Sequence, residues 1–139
     1  MNRKVRCPVA TSLDVVGDRW TLQIVRDLLR GRKRFSDLRE TVEGIPASLL
    51  SERLKLLERE GIVARRLYSE RPPRAEYVLT PKGHGLGVVV GALSSWGERY
   101  GESDRSIVDN ECGHGVSVVY HCPTCERLAP GSRVRIVAH

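Results

Sequence analysis

At Gly61 the hydrophobic rhythm of the chain changes, and that change constrains the fold more than any other feature. Before it, Leu50, Leu54 and Leu57 recur at i, i+4 and i+7, the spacing of one helix face. After it, Ile62–Tyr68 and Ala75–Leu79 are β-branched and mixed polar, as strands are, and they flank the turn Arg71-Pro72-Pro73-Arg74. Thr80-Pro81 then supplies an N-cap and a first-turn proline for a helix expected to run to about Tyr100. Helices, a hairpin and a long helix in that order predict a mainly helical α+β fold.

The helices upstream are short and punctuated. Pro8 opens the first, Val9, Leu13 and Val16 repeat at helical spacing, and Gly17 ends it. Asp18 is the expected N-cap of the second, whose face is Trp20, Ile24 and Leu28, widened by Val25 and Leu29, with Gly31 as its stop. Ser36 is the expected cap of a third helix, Ser36–Val42, closed by Gly44, and Ala47–Glu60 is the fourth.

Two short helices before a hairpin predict a winged helix-turn-helix. In that arrangement the second helix of the pair enters the major groove, which is wide enough to admit it. Its outward face near the N-terminus is Ala47, Ser48, Ser51, Glu52 and Lys55, with Arg53 in reach of a phosphate or a base. Arg32, Lys33 and Arg34, followed by Ser36, stand at the entry to the pair, near phosphate. Arg71 and Arg74 at the hairpin tip lie along the backbone or in the minor groove. The competing reading of each residue is a solvated helix or loop face.

Charge agrees with a nucleic-acid partner. The 139 residues carry a formal +6, unevenly placed. Residues 1–101 hold 19 Lys+Arg against 12 Asp+Glu, whereas residues 102–139 hold 4 against 5. The whole excess therefore sits on the helical part, where it favours an anionic partner such as double-stranded DNA. The longest charge-free apolar stretch, around Gly85–Ala92, is too short and Gly-rich to cross a bilayer, and the basic start Met1–Pro8 leads into no apolar segment. The expectation is a cytoplasmic protein with no membrane partner.

The long helix places Leu86, Val89, Val90, Leu93 and Trp96 on one side, among Gly83, Gly85, Gly87, Gly91 and Gly97. Each interior glycine costs about 0.8–1 kcal/mol against alanine. Close backbone packing against another helix would recover that cost, so this side is the expected homodimer interface.

The same residues resemble a known family. Cys7-Pro8, Asp14–Trp20, Arg34–Leu38, Leu50–Leu54, Arg71–Gly83 and Trp96-Gly97, in that order, are similar to the motifs of HxlR-type regulators, relatives of the MarR group. The resemblance spans about residues 7–100. It implies a homodimeric winged-helix transcription regulator, not an enzyme, binding a pseudo-palindromic operator through a dimer built from its terminal helices. It also implies a candidate sensor, because Cys7 matches a near-N-terminal cysteine that several members use to detect oxidants or electrophiles. A thiol between Arg6 and a helix start suits that chemistry.

Beyond residues 1–101, residues 102–110 read as a linker and residues 111–139 as an appendage. Cys112-Gly113-His114 and Cys122-Pro123-Thr124-Cys125 offer three thiols and an imidazole, a set suited to structural tetrahedral zinc. His121 is the alternative fourth ligand. Val116–Tyr120 and Arg133–Val137 alternate as strands do, which makes the tail a miniature zinc ribbon with too little core to fold without a staple. Glu126 stands where many such knuckles carry glycine.

Two other functions compete. A redox enzyme built on Cys122 and Cys125 lacks a paired base and the substantial helix that should follow its Cys-x-x-Cys. An RNA-binding interaction module lacks a stacking platform, since aromatics are 5% of the chain.

Overall fold

The computed structural model describes residues 6–137. They fall into two compact units, one from Arg6 to Val90 and one from Gly91 onward. The first unit ends eleven residues before the expected end of the helical domain at 101.

The first unit is a winged helix-turn-helix. Its elements are α1 (Pro8–Val16), α2 (Thr21–Leu28), β1 (Lys33–Arg34), α3 (Phe35–Thr41), α4 (Ala47–Arg59), β2 (Val63–Glu70), β3 (Pro73–Leu79) and α5 (Pro81–His84). The apolar faces read from the sequence converge on one core. Ile24 and Leu28 of α2, Leu38 of α3 and Leu50, Leu54 and Leu57 of α4 are all buried there with Val63 and Leu79 of the hairpin. Fully burying such a side chain is worth about 1.5–3 kcal/mol. Burial of one face of α4 leaves its other face outward, beside the hairpin.

Several local expectations need correction. Ser36 does not cap α3. That helix starts one residue earlier, and the Asp37 carboxylate accepts the Arg34 backbone N–H at 2.8 Å. An acid three residues past the cap position closes a first turn as well as a capping hydroxyl does. Lys33 and Arg34 form a short strand, pairing with Tyr77 and Glu76, so the sheet has three strands in the order β1-β3-β2. Two residues are too few to show a period.

The hairpin is longer than expected, with only Arg71 and Pro72 between its strands, and a bulge between Leu67 and Ser69 leaves Tyr68 unpaired.

The single helix expected from Thr80 to Tyr100 is two, α5 and α6 (Gly87–Tyr100). Thr80 caps α5 as expected, accepting the Gly83 N–H at 3.1 Å. Its hydroxyl and backbone also tie back to the hairpin base at Gly61 and Ile62, and the Lys82 ammonium donates to the Glu60 carbonyl at 2.6 Å. A Cβ on Gly83 would sit 2.2 Å from the Ile62 carbonyl oxygen. This close approach is to the hairpin base and not to another helix, and the helix breaks after this anchored turn.

The second unit contains most of α6 and two small hairpins. One is closed by the bridge between Val108 and Gly115. The other pairs β4 (Tyr120–Cys122) with β5 (Arg127–Ala129). Here the sequence expectation fails in two places. Of Val116–Tyr120 only Tyr120 is strand, and Arg133–Val137 is irregular after a short 3-10 turn at Gly131–Arg133. Alternation makes a strand only when a sheet covers one face, and no residue from 101 to 137 is buried. The expected linker 102–110 ends inside the first hairpin. Among the described residues no helix is long and apolar enough to cross a membrane.

Candidate nucleic-acid interface

The turn from α3 to α4 passes through Gly44 at φ +82°, a left-handed conformation that glycine adopts freely. It sets α4 with Ser48, Glu52, Lys55 and Arg59 exposed and Ala47, Ser51 and Arg53 half-buried. Pro46 precedes α4 and no side chain caps it, so its first-turn N–H groups point outward without a side-chain acceptor.

Arg53 is held inward. Its Nη1 lies 3.8 Å from Asp18 Oδ2, and its Nε is buried without a hydrogen-bond partner. Asp18 is itself saturated, accepting the Trp20 N–H at 2.8 Å, the Thr21 N–H at 3.0 Å and the Thr21 hydroxyl. It therefore caps the start of α2, as the sequence predicts, and also steadies α4. Burial pushes the Asp18 carboxyl up, but the Thr21 hydroxyl, the two amides and the Arg53 guanidinium together hold it below its ordinary value.

A lowered carboxyl pKa stabilises the fold above the unfolded value near 4, and that stability is lost as pH falls through the lower folded value. Asp18→Ala is expected to cost about 0.5–2 kcal/mol at pH 7. The loss should shrink at acid pH, below the lowered folded value, where the wild-type carboxylate is protonated as well. Urea melts at both pH values measure this, and equal losses would refute the assignment.

The basic run before α3 is partly neutralised. Arg32 pairs with Glu76 at 3.1 Å, and Arg34 lies 3.5 Å from Asp37. The Tyr68 hydroxyl and Asp37 together push the Arg34 pKa up. With Glu76 these residues line a cleft of about 260 Å³. Lys33 is half-buried in β1, and Ser36 is exposed on α3.

Arg71 and Arg74 are exposed at the hairpin tip and form no ion pair among the described residues. Sequence reasoning missed Arg65 and Arg66, exposed along β2. Their charge is legible in the mixed polar pattern of Ile62–Tyr68, but the pattern marks a strand and does not say which side chains it exposes.

Outside this face, Cys7 is exposed at the start of α1. Of the five residues assigned to a dimer, Leu86 and Val90 pack against the chain's own core, while Val89, Leu93 and Trp96 are exposed. Cys112 and His114 belong to one tail hairpin, and Cys122 and Cys125 to the other. Among the described residues no three His, Cys, Asp or Glu side chains converge on one point.

A buried-backed helix presented beside an arginine-tipped hairpin defines a winged helix-turn-helix protein. The HxlR-like helix-turn-helix family profile matches residues 15–105, and the chain belongs to that family. It is similar to the uncharacterised HTH-type transcriptional regulator YvaP of Bacillus subtilis (strain 168), 40% identical over 78% of this chain and all of YvaP. Among solved structures it is similar to PA1607, a putative transcription factor, with 30% identity and TM-score 0.82 over 98% of this chain and 97% of that one. The redox regulator HypR in its oxidised form matches with 36% identity and TM-score 0.65, over 70% of this chain and all of HypR. The protein is thus a transcriptional regulator of HxlR type.

Proposed function

We propose that the protein acts as a homodimer on double-stranded DNA, with α4 of each copy in a major groove and each hairpin tip against the backbone or minor groove. The observation that carries this reading is the outward face of α4, where Ser48, Glu52 and Lys55 stand exposed over a fully buried Leu50, Leu54 and Leu57. Ser48 and Ser51 can serve any base edge, while Glu52 can only accept and so favours the cytosine amino group. Uncapped N–H groups of α4 suit a phosphate. Arg71 and Arg74 at the tip, with Arg65 and Arg66 along β2, supply the charge. Arg32 and Arg34 are themselves exposed, and the Arg34–Asp37 pair is weak enough for phosphate to displace its carboxylate. Ala47, Lys33, Ser36 and Arg53 border this surface, Arg53 as a positioning residue.

The dimer reading rests on α6, where Leu93 and Trp96 are 53% and 65% exposed on a helix otherwise poor in charge. Apolar groups of that size are usually covered in the working state. A second reading, that Cys7 senses oxidants, is favoured by its exposure at a helix start and by the likeness to a redox regulator.

Selection of bound duplexes from a random pool tests the main reading. The expected winner is an inverted repeat with half-sites about one turn, 34–36 Å, apart. Enrichment of no sequence, or of single half-sites alone, would overturn it.

A further inference from the structure

Residues 101–137 contain no buried side chain, yet they form two closed hairpins. A segment so short and coreless needs another source of stability. Each hairpin turn carries metal-binding side chains, and each turn is shaped around its cysteine.

In the first, Asp109 Oδ1 accepts the backbone N–H groups of Glu111 and Cys112, at 2.7 and 3.1 Å. The Gly113 N–H returns to the Asp109 carbonyl at 2.8 Å, with Gly113 at φ +71°. His114 follows directly, its carbonyl accepting the Asp109 N–H at 2.9 Å. In the second, Cys122 ends β4 and Cys125 stands two residues before β5, in the turn that joins the two strands. Glu126 takes φ +52°, the left-handed conformation that a glycine would adopt after the second cysteine. The departure noted in the sequence therefore leaves the knuckle backbone intact.

We propose that the tail binds one Zn²⁺ per chain through Cys112, His114, Cys122 and Cys125, and that the ion draws the two hairpin turns together. Three thiolates and one imidazole are a closed structural zinc set. The four side chains are not gathered at one point among the described residues, and residues 116–119 between the hairpins are without regular structure. His121 is not the fourth ligand. It sits inside β4 opposite Leu128, next to Cys122 in a strand where neighbouring side chains point to opposite faces.

The test is metal content and cobalt substitution of the full chain, neither of which requires DNA, so its failure is distinct from failure of the regulator reading. About one zinc per chain is expected, with thiolate-to-cobalt charge-transfer absorption when Co²⁺ replaces it. Cys122→Ser with Cys125→Ser should abolish both signals, and His114→Ala should weaken metal affinity at least about tenfold while His121→Ala leaves it unchanged. Three results would each overturn the proposal: no stoichiometric zinc after reconstitution, zinc retained by the double serine variant, or loss of zinc in His121→Ala but not in His114→Ala.

Discussion

Raising salt from about 50 to 200 mM is expected to weaken binding to the selected operator by about 10³–10⁵, the loss for six to ten neutralised phosphates. Each protomer offers Lys55, Arg71 and Arg74, with Arg65 and Arg66 on the same hairpin, and none of the five forms an ion pair among the described residues. A dimer doubles that set. Each phosphate contact releases condensed counterion, so log affinity falls linearly with log salt at a slope near −0.9 per contact. Arg71→Ala or Arg74→Ala removes two contacts per dimer and should flatten the slope by about 2. Fluorescence anisotropy across a salt series measures both quantities. A flat response in the wild type would remove the docking, and an unchanged slope in both variants would remove the hairpin from it.

Leu54→Ala should destabilise the first unit by about 2–5 kcal/mol, the range for truncating a fully buried leucine. Leu54 is 1% exposed and sits midway along α4, between Leu50 and Leu57. Its truncation leaves a void on the inner face of the helix whose outer face is assigned to DNA. Glu52→Ala, two residues away and exposed, should change stability by no more than about 0.5 kcal/mol. Urea melts of the two variants separate the faces. A loss below about 1 kcal/mol for Leu54→Ala would mean that α4 is not mounted on the core as described.

The helices and the hairpin were legible in the sequence because their apolar residues recur at the period of the element that buries them. Leu50, Leu54 and Leu57 mark the inner face of α4, and Thr80-Pro81 marks the start of α5. What was illegible depended on contacts distant in sequence. β1 exists only because β3 lies beside it. The break before α6 follows from Gly83 meeting the Ile62 carbonyl, and nothing local distinguishes that glycine from Gly91. Tyr68 gains its approach to Arg34 from a bulge that shows in pairing, not in composition. In the tail, alternation without a buried face mimicked strands at Val116–Val119 and Arg133–Val137. At the interface, the outward face of α4 was legible, but the inward pull of Asp18 on Arg53 was not.

The hairpin is clamped at its root, where Thr80, Lys82 and Gly83 grip the backbone from Glu60 to Ile62, while Arg71 and Arg74 at its far end are exposed and form no ion pair among the described residues. The two ends are therefore mechanically decoupled. Such a loop behaves as a cartridge: its tip can be lengthened, shortened or exchanged with that of a relative, retuning which duplexes are tolerated while the chassis stays the same.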